Sequence, residues 1–285
     1  MTMCNAILLL SCPDKRGITA TVTNFVYTNN GNILHAEQHK DEEVNIFFMR
    51  IEWSMDGFAI PRDKLTEKFQ PIADMFEMKW SLYFTDYIPR MAIFVSKRLH
   101  CLYDLLLRNR GGQFNCDIAL IISNHRDAKK VADEFGVRFQ EFIVTAENKM
   151  AQEKKQIELL MQEHIDVVVL ARYHQIFTEQ FVRAFDNKII NIHHSFLPAF
   201  IGKNPYHQAY QKGVKLIGAT SHYVTEKLDE GPIIEQDTAR ISHRDAIEDL
   251  VRMGEDLEKV VLGRAVVWHL QRKVLSFNNK TVVFE

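Results

Sequence analysis

Hydrophobic and polar positions follow two different patterns along the 285-residue chain, and the pattern changes near residue 86. In the first part, apolar residues alternate with polar ones in some segments and recur every three or four positions in others. These periods predict β-strands and amphipathic helices, respectively. The predicted order is strand–helix–strand–strand–helix–strand, a ferredoxin-like βαββαβ unit. Its strands are expected at 5–12, 32–40, 44–53 and 78–84, and its helices start at Gly17 and Pro61.

The second part repeats a strand followed by a helix, which is typical of right-handed βαβ units in a mostly parallel, Rossmann-like sheet. We therefore expect an α/β protein with a small domain at 1–85, a linker at 86–90 and a second domain at 91–285. The predicted strands are 91–95, 117–122, 138–142, 166–171, 188–192, 215–224 and 232–239, and the predicted helices are 100–109, 127–135, 147–163 and a closing helix at 243–272.

Composition and charge narrow the classes of function. The formal net charge is −2 and the pI is about 6.6, so the chain lacks the basic excess typical of proteins that bind nucleic acid. No segment has the ~20 apolar residues needed to cross a bilayer, and the N-terminus has no basic region of a signal peptide. The four cysteines form no C-x-x-C pair and no zinc-finger spacing. We expect a soluble protein of a reducing, cytoplasmic compartment.

Polar side chains follow the apolar strand that ends near residue 192. The segment NIHHSFLPAF, residues 191–200, brings an amide, two imidazoles and a hydroxyl to this strand end. Such groups are costly to bury without partners, and the carboxyl ends of parallel strands are where ligands bind in sheets of this type. Asn191 and His193 are two positions apart, so on a regular strand both point to the same side. The segment therefore predicts a functional site.

A second polar segment, Thr225 to Gly231, lies between two predicted strands and contains Asp229. A carboxylate in such a loop is usually solvated or caps a turn. The residue pattern alone leaves both a structural and a functional role open.

Three segments together resemble the folate-dependent formyltransferase and deformylase fold, from about residue 90 to the end. They are VVVLARYHQIF, NIHHSFLPAF and GKNPYHQAYQKGVKLIGATSHYVTEKLDEGPIIEQD. The family's catalytic set is Asn-x-His followed by the Asp of an L-D-x-G-P stretch, which corresponds here to Asn191, His193 and Asp229. The resemblance further implies a folate-binding loop and supporting residues around the catalytic set. The expected folate-binding residues are Leu170, Arg172, Tyr173, His174, Gln175 and Ile176, and the expected supporting residues are His194, Ser195 and His222.

The first part resembles an ACT domain through its first strand and the following CPDKRGITATVTNF. In that family, the loop after the first strand often lines a site for an amino acid, which places a regulatory ligand near Asp14 and Gly17. Alternatively, the unit only mediates dimerisation, and Asp14 and Gly17 simply start the helix. In either case we expect a homo-oligomer.

An ACT domain joined to this fold resembles the formyltetrahydrofolate deformylase family. The resemblance implies hydrolysis of 10-formyltetrahydrofolate to tetrahydrofolate and formate, which supplies formate for purine biosynthesis and balances one-carbon folate pools. Asn191 and His193 would stabilise the oxyanion, and Asp229 would shuttle protons if its pKa rises above the reference ~3.9. No cofactor and no metal is implied, and the histidines have no H-E-x-x-H spacing.

Two alternatives stay open. A transferase that uses a phosphorylated amine would need a glycine-rich phosphate cradle after the first strand of the second domain. That segment reads SKRLHCLYDLL, residues 96–106, without glycine, although Lys97 and Arg98 could still hold an anion. A non-catalytic folate sensor is the other alternative, and the complete Asn–His–Asp set argues against it. His207 is expected to be structural, and Lys203 has no assigned role.

Overall fold

The computed structural model describes residues 4–199 and 205–285; Lys203 lies outside the described residues. The chain divides into two compact units. The first comprises residues up to Ile88 together with Arg272–Leu275 and Val282–Glu285, and the second comprises Pro89–Gln271 and Ser276–Thr281. The sequence had placed Arg272–Leu275 and Val282–Glu285 in the second domain, whereas in the structure these two segments belong to the first unit.

The first unit is the expected ferredoxin-like fold. Its strands form one antiparallel sheet in the order β2-β3-β1-β4. Alternate residues of the central strands, such as Leu8, Leu10 and Met49, pack against apolar residues of the helices, including Val22 and Phe69. Its elements are β1 (Asn5–Pro13), α1 (Ile18–Thr28), β2 (Asn32–Asp41), β3 (Ile46–Ser54), α2 (Arg62–Met75) and β4 (Lys79–Phe84).

The second unit is built on a seven-stranded sheet in the order β11-β10-β9-β8-β5-β6-β7. The five strands from β5 to β9 are parallel, and β10 and β11 run antiparallel to their neighbours. The fold class predicted from the sequence is therefore confirmed. The elements are β5 (Arg90–Val95), α3 (His100–Arg110), β6 (Asp117–Ser123), α4 (Asp127–Phe135), β7 (Arg138–Glu141), α5 (Lys149–Gln162), β8 (Val167–Ala171), α6 (Glu179–Ala184), β9 (Ile189–His193), α7 (Pro205–Lys212), β10 (Leu216–Tyr223), β11 (Ile233–Arg240) and α8 (Ile247–Leu270).

The strand order reverses between β5 and β8. From β5 the chain builds outward through β6 and β7, and it then returns to place β8 on the other side of β5. Such a switch point opens a crevice at the carboxyl ends of the two strands, between the turns that follow them. The crevice is bordered by the β5–α3 turn and by the irregular segment 172–178 after β8.

A C-terminal hairpin was not anticipated, since the sequence was expected to end after one closing helix. It consists of β12 (Val274–Phe277) and β13 (Lys280–Val283). The two connecting residues, Asn278 and Asn279, have φ of 45° and 59°. Asparagine tolerates this left-handed region, and a two-residue loop of this kind is a typical hairpin turn. The Asn-Asn pair was the feature of the sequence that could have predicted this hairpin turn. Among the described residues, no helix combines the length and hydropathy needed to cross a membrane.

Candidate active site

The strands β9 and β10 bring three of the predicted site residues together. They pair antiparallel, with Asn191 directly opposite His222 and with His193 opposite Thr220. Cross-strand partners lie within side-chain contact of one another, so the pairing explains why Asn191 and His222 meet. A β-bulge between Ser221 and His222 interrupts the register with β11, and bulges commonly re-aim a side chain next to a site.

The loop between β10 and β11 brings Asp229 to this strand end. Asp229 has φ of 55°, a left-handed conformation that aspartate adopts more readily than most residues. Two residues later the chain crosses β10 so closely that a Cβ on Gly231 would lie 1.8 Å from the carbonyl oxygen of Tyr223. Only glycine fits at that crossing. The glycine of the L-D-x-G-P stretch is therefore required by the path of the loop that carries Asp229.

Asp229 contacts both imidazoles of the site. Its Oδ2 lies 3.3 Å from Nδ1 of His193, and its Oδ1 lies 3.7 Å from Nε2 of His222. The amide nitrogen of Asn191 lies 3.2 Å from the same Nε2. The three residues expected to be catalytic thus lie around one point, together with His222, although they come from separate segments of the chain.

His222 holds the amide of Asn191 in one orientation. Its Nδ1 lies 2.9 Å from the carbonyl oxygen of Tyr223. A carbonyl only accepts hydrogen bonds, so Nδ1 carries a proton. In the form of the ring that is protonated at Nδ1 alone, Nε2 accepts from the Asn191 amide and leaves the second amide N–H of Asn191 available as a donor. His222 was expected to be a supporting residue, and its contacts fit that role.

The two ring nitrogens of His193 differ in their surroundings. His193 is buried, and its Nδ1 faces Asp229, whereas its Nε2 has no hydrogen-bond partner among the described residues. Buried polar atoms nearly always have a partner. An imidazole fixed at one nitrogen and unpaired at the other is suited to bind a substrate oxygen.

The pKa of Asp229 corrects one expectation. Burial raises the pKa of this carboxyl, but hydrogen bonding and attraction from His193 and His222 outweigh burial and hold it well below the ordinary value. Proton shuttling by Asp229 was expected to require a raised pKa. Asp229 is therefore an anion in the free site.

The other two residues expected to support the site, His194 and Ser195, directly follow β9. Burial, the Arg172 charge and the neighbouring His193 lower the pKa of His194 to about 3, so its ring is neutral. The ring centroid of His194 lies 5.1 Å from that of His193. The hydroxyl of Ser195 donates to the carbonyl of Ala199 at 2.8 Å and so fixes the local turn. This contact supports a role for Ser195 in capping the loop.

The expected folate-binding segment borders the switch-point crevice, but two of its side chains point into the core. Tyr173 and Leu170 are buried in the apolar cluster of the second unit, where the Tyr173 ring packs on Phe94 at 5.2 Å. Their side chains are therefore structural, and only their backbone could contact a ligand. By contrast, Ile176 is 57% exposed.

Ser96, which follows β5, anchors this segment and was missed by the sequence argument. Its N–H donates to the carbonyl of Arg172, and its hydroxyl accepts from the N–H of His174 at 3.2 Å. The hydroxyl also donates to Asn124. Burial and the Arg172 charge lower the pKa of His174. Gln175 is half-buried.

A buried carboxylate close to the site was also missed. Glu258 of α8 is 0% exposed, and its oxygens contact three side chains. Nε2 of His100 lies at 2.7 Å, the hydroxyl of Tyr206 donates at 2.8 Å, and Nε of Arg172 lies at 3.4 Å. We call these four residues the Glu258 cluster. Its signal in the sequence was a glutamate on the apolar stripe of α8.

The cluster contacts the site through His194, whose ring centroid lies 6.1 Å from that of Tyr206. His100 and Glu258 also form, with Cys101, a group whose ligand atoms lie within 4.8 Å of one another. The Glu258 oxygens are engaged by His100, Arg172 and Tyr206, so we interpret the group as a hydrogen-bonded ion pair.

In the first unit, Asp14 and Gly17 lie between β1 and α1. The carboxylate of Asp14 is 3.2 Å from Nζ of Lys40. Gly17 precedes α1 with φ of 94°, a conformation that side chains rarely adopt. The backbone alone therefore accounts for the glycine, and a ligand at this loop stays a prediction.

Comparisons with known proteins agree with both units. The formyl transferase family model matches residues 89–266, and the ACT domain model matches residues 6–73. A formyltetrahydrofolate deformylase of Synechocystis sp. is 54% identical over 279 residues, 98% of this chain and 98% of that protein. The crystal structure of a formyltetrahydrofolate deformylase from Pseudomonas syringae pv. tomato has a TM-score of 0.97 and 45% identity, and covers 100% of this chain and 96% of that one.

A glycinamide ribonucleotide transformylase 1 from Symbiobacterium toebii is more distant, with 29% identity and a TM-score of 0.66. The match covers 72% of this chain and 98% of that one. The deformylases, unlike this transformylase, match over nearly the full length of the chain. The chain belongs to the family of formyltetrahydrofolate deformylases, which are hydrolases.

Proposed function

We propose that the chain hydrolyses 10-formyltetrahydrofolate to tetrahydrofolate and formate, with Asn191, His193 and Asp229 as catalytic residues. The observation that carries the proposal is the state of His193. One of its ring nitrogens faces the anionic Asp229, and the other is buried without a hydrogen-bond partner in the part of the chain that the structure describes. Membership of the deformylase family supports a formyl substrate. The geometry of His193 supports a role for its ring in acting on that substrate.

The oxyanion is stabilised by two donors. When water attacks the formyl carbon, negative charge develops on the formyl oxygen. The free N–H of the Asn191 amide and a protonated Nε2 of His193 both donate to that oxygen. One such donor typically lowers the barrier by about 3–4 kcal/mol in a site that excludes water. The carboxylate of Asp229 faces the opposite nitrogen of this ring, Nδ1, at 3.3 Å.

Asp229 moves the proton. The water must lose a proton as its oxygen bonds to the formyl carbon, and the tetrahydrofolate nitrogen must gain one as the carbon–nitrogen bond breaks. Asp229 accepts the first proton and returns it to the leaving nitrogen. Its pKa is low while His193 and His222 stabilise the anion. As His193 donates to the negatively charged formyl oxygen, its stabilisation of Asp229 weakens, and the pKa of Asp229 rises during the reaction.

The folate is bound by the segment from Leu170 to Ile176, beside the carboxyl end of β8. Its buried side chains leave the backbone and the exposed Ile176 as the contacts for the pterin. The reaction uses water and side chains of the chain, so it requires no cofactor. In the ACT unit we propose an amino-acid effector near Asp14 and Gly17, and association of chains into a homo-oligomer.

The test is formate release by the purified protein. Incubation with 10-formyltetrahydrofolate alone is expected to yield tetrahydrofolate and formate in equal amounts. A parallel incubation adds glycinamide ribonucleotide as a phosphorylated amine acceptor, and it is expected to give the same yield of formate. If the formyl group is consumed only when the amine is present, the protein is a transferase. If folate binds but is not consumed in either incubation, the protein is a folate sensor.

A further inference from the structure

The C-terminal hairpin contacts the loop that carries Asp229. The side-chain amide of Asn279, in the hairpin turn, donates to the carbonyl oxygen of Glu230 at 2.8 Å. The hydroxyl of Thr281, on β13, donates to the carbonyl oxygen of Ile233. The first of these carbonyls belongs to the residue next to Asp229. The tip of the hairpin therefore holds the backbone that directly follows Asp229.

The Asp229 loop depends on such contacts from outside. Asp229 has φ of 55°, a left-handed conformation that persists only where the surroundings hold it. The preceding side chain, Leu228, is 57% exposed and packs little. Within the loop, the N–H of Glu230 donates to the carbonyl of Lys227 over 3.4 Å, a long hydrogen bond. The crossing at Gly231 fixes the loop on β10, and the hairpin fixes the carbonyls before and after that crossing.

The base of the hairpin is held by other residues than the Asp229 loop. A two-stranded hairpin is at most marginally stable alone, so it needs packing of its own. Near the end of β13, Phe284 is 3% exposed, and its N–H donates to the carbonyl of Lys273 at 2.8 Å. The guanidinium of Arg50 donates to the carbonyl of Arg272 at 3.1 Å, within the first unit. The hairpin is therefore packed independently of the loop and can support it.

We propose that Asn279 is a positioning residue for Asp229, with Thr281 as a second contact, and that their hydrogen bonds keep the Asp229 carboxylate between the two imidazoles of the site. The inference rests on the proposed hydrolysis, in which Asp229 moves the proton. Displacing a catalytic group by about 1 Å can slow a reaction by about a hundredfold. Neither residue contacts the reacting atoms in this proposal, since both act through the backbone of the loop.

The first test compares Asn279→Asp with Asn278→Asp in the full chain. Aspartate keeps the size of asparagine and tolerates the left-handed backbone of this turn, but its carboxylate cannot donate to the Glu230 carbonyl. Asn278 is the matched control, because it is exposed in the same turn and its side chain has no hydrogen bond to the loop among the described residues.

The kcat of formate release is expected to fall about tenfold in Asn279→Asp, through displacement of Asp229. In Asn278→Asp it should change by less than about twofold, as for other surface substitutions. Folate affinity should be unchanged in both variants, since the proposed folate segment is 170–176. Equal kcat in the two variants overturns the inference.

The second test asks whether Asn279 acts through Asp229. In the Asp229→Asn background the loop carries no proton acceptor, so Asn279→Asp is expected to slow formate release no further. An equal loss in both backgrounds would show an independent structural role and overturns the inference. Thr281→Val removes the hydroxyl and Thr281→Ser keeps it, so we expect about fivefold faster release in Thr281→Ser, the factor of one hydrogen bond. This pair decides if Asn279→Asp does not fold.

Urea unfolding at pH 6 and pH 3 tests the position of Asp229 without turnover. In the wild-type background, Asp229→Asn should cost more stability at pH 6 than at pH 3, because the pKa of Asp229 is lowered in the folded state. In the Asn279→Asp background most of this excess should be lost. The carboxylate that Asn279→Asp introduces is present in both proteins of that comparison and cancels. An undiminished excess overturns the inference, whereas absence of formate release in wild type counts against the proposed function alone.

Discussion

The carboxylate of Asp229 lies 3.3 Å from Nδ1 of His193, and the opposite nitrogen of that ring has no partner among the described residues. This relationship requires a loop that passes Tyr223 at a glycine and a strand that ends at His193. It makes Asp229 an anion before any substrate binds.

Asn191→Ala is expected to lower turnover by about a hundredfold or more, since one oxyanion donor is typically worth that factor. The pH profile should keep its shape at lower height because the His193–Asp229 pair is unchanged. Folate affinity should be retained, since the proposed folate segment is 170–176. Steady-state formate release between pH 5 and 9, with calorimetry for binding, measures all three. A changed pH profile would show that Asn191 acts on the titrating pair instead.

Gly231→Ala is expected to abolish most turnover while the protein remains folded, because the added Cβ would displace the Asp229 loop from Tyr223. Gly213→Ala is the control. Gly213 has φ of 61° with open space around its Cβ position, so this variant carries the cost of the strained backbone without a clash. The control should lose about 1 kcal/mol of stability and keep its turnover. Equal turnover in the two variants would show that the loop path does not position Asp229.

The stabilising effect of Asp229 should depend on pH in one direction. Its pKa is lowered in the folded state, so the anion contributes stability that is fully present above the unfolded value of ~3.9 and is lost as the pH falls through the folded value. The difference in unfolding free energy between wild type and Asp229→Asn should therefore be larger at pH 6 than at pH 3. Urea unfolding of both proteins at the two pH values measures it. A difference that grows towards acid would show that the carboxyl is protonated in the folded state.

The sequence predicted the fold because each unit has one clear period of apolar positions. The polar segment that follows an apolar strand predicted a site at Asn191 and His193, and the resemblance to the formyltransferase family added Asp229 to the set. The Glu258 cluster could not be predicted in this way. Its members come from four separate segments, and only Glu258 carries a sequence signal, as a glutamate on the apolar face of α8.

The direction of the Asp229 pKa also needed the structure. From the sequence, burial of a carboxylate near the site predicts a raised pKa. In the structure the two imidazoles contribute more than burial does. That balance depends on distances of a few ångströms between residues that are far apart in the chain.

Formate release by Asp229→Asn tests the central claim most directly. Asparagine keeps the size of the side chain and tolerates the left-handed backbone at this position, but it cannot accept the proton of the attacking water at neutral pH. The account predicts that Asp229→Asn binds folate as wild type does and releases formate at least about a hundredfold more slowly. Near-normal formate release by this variant would contradict the account, because Asp229 would then be an ordinary loop carboxylate.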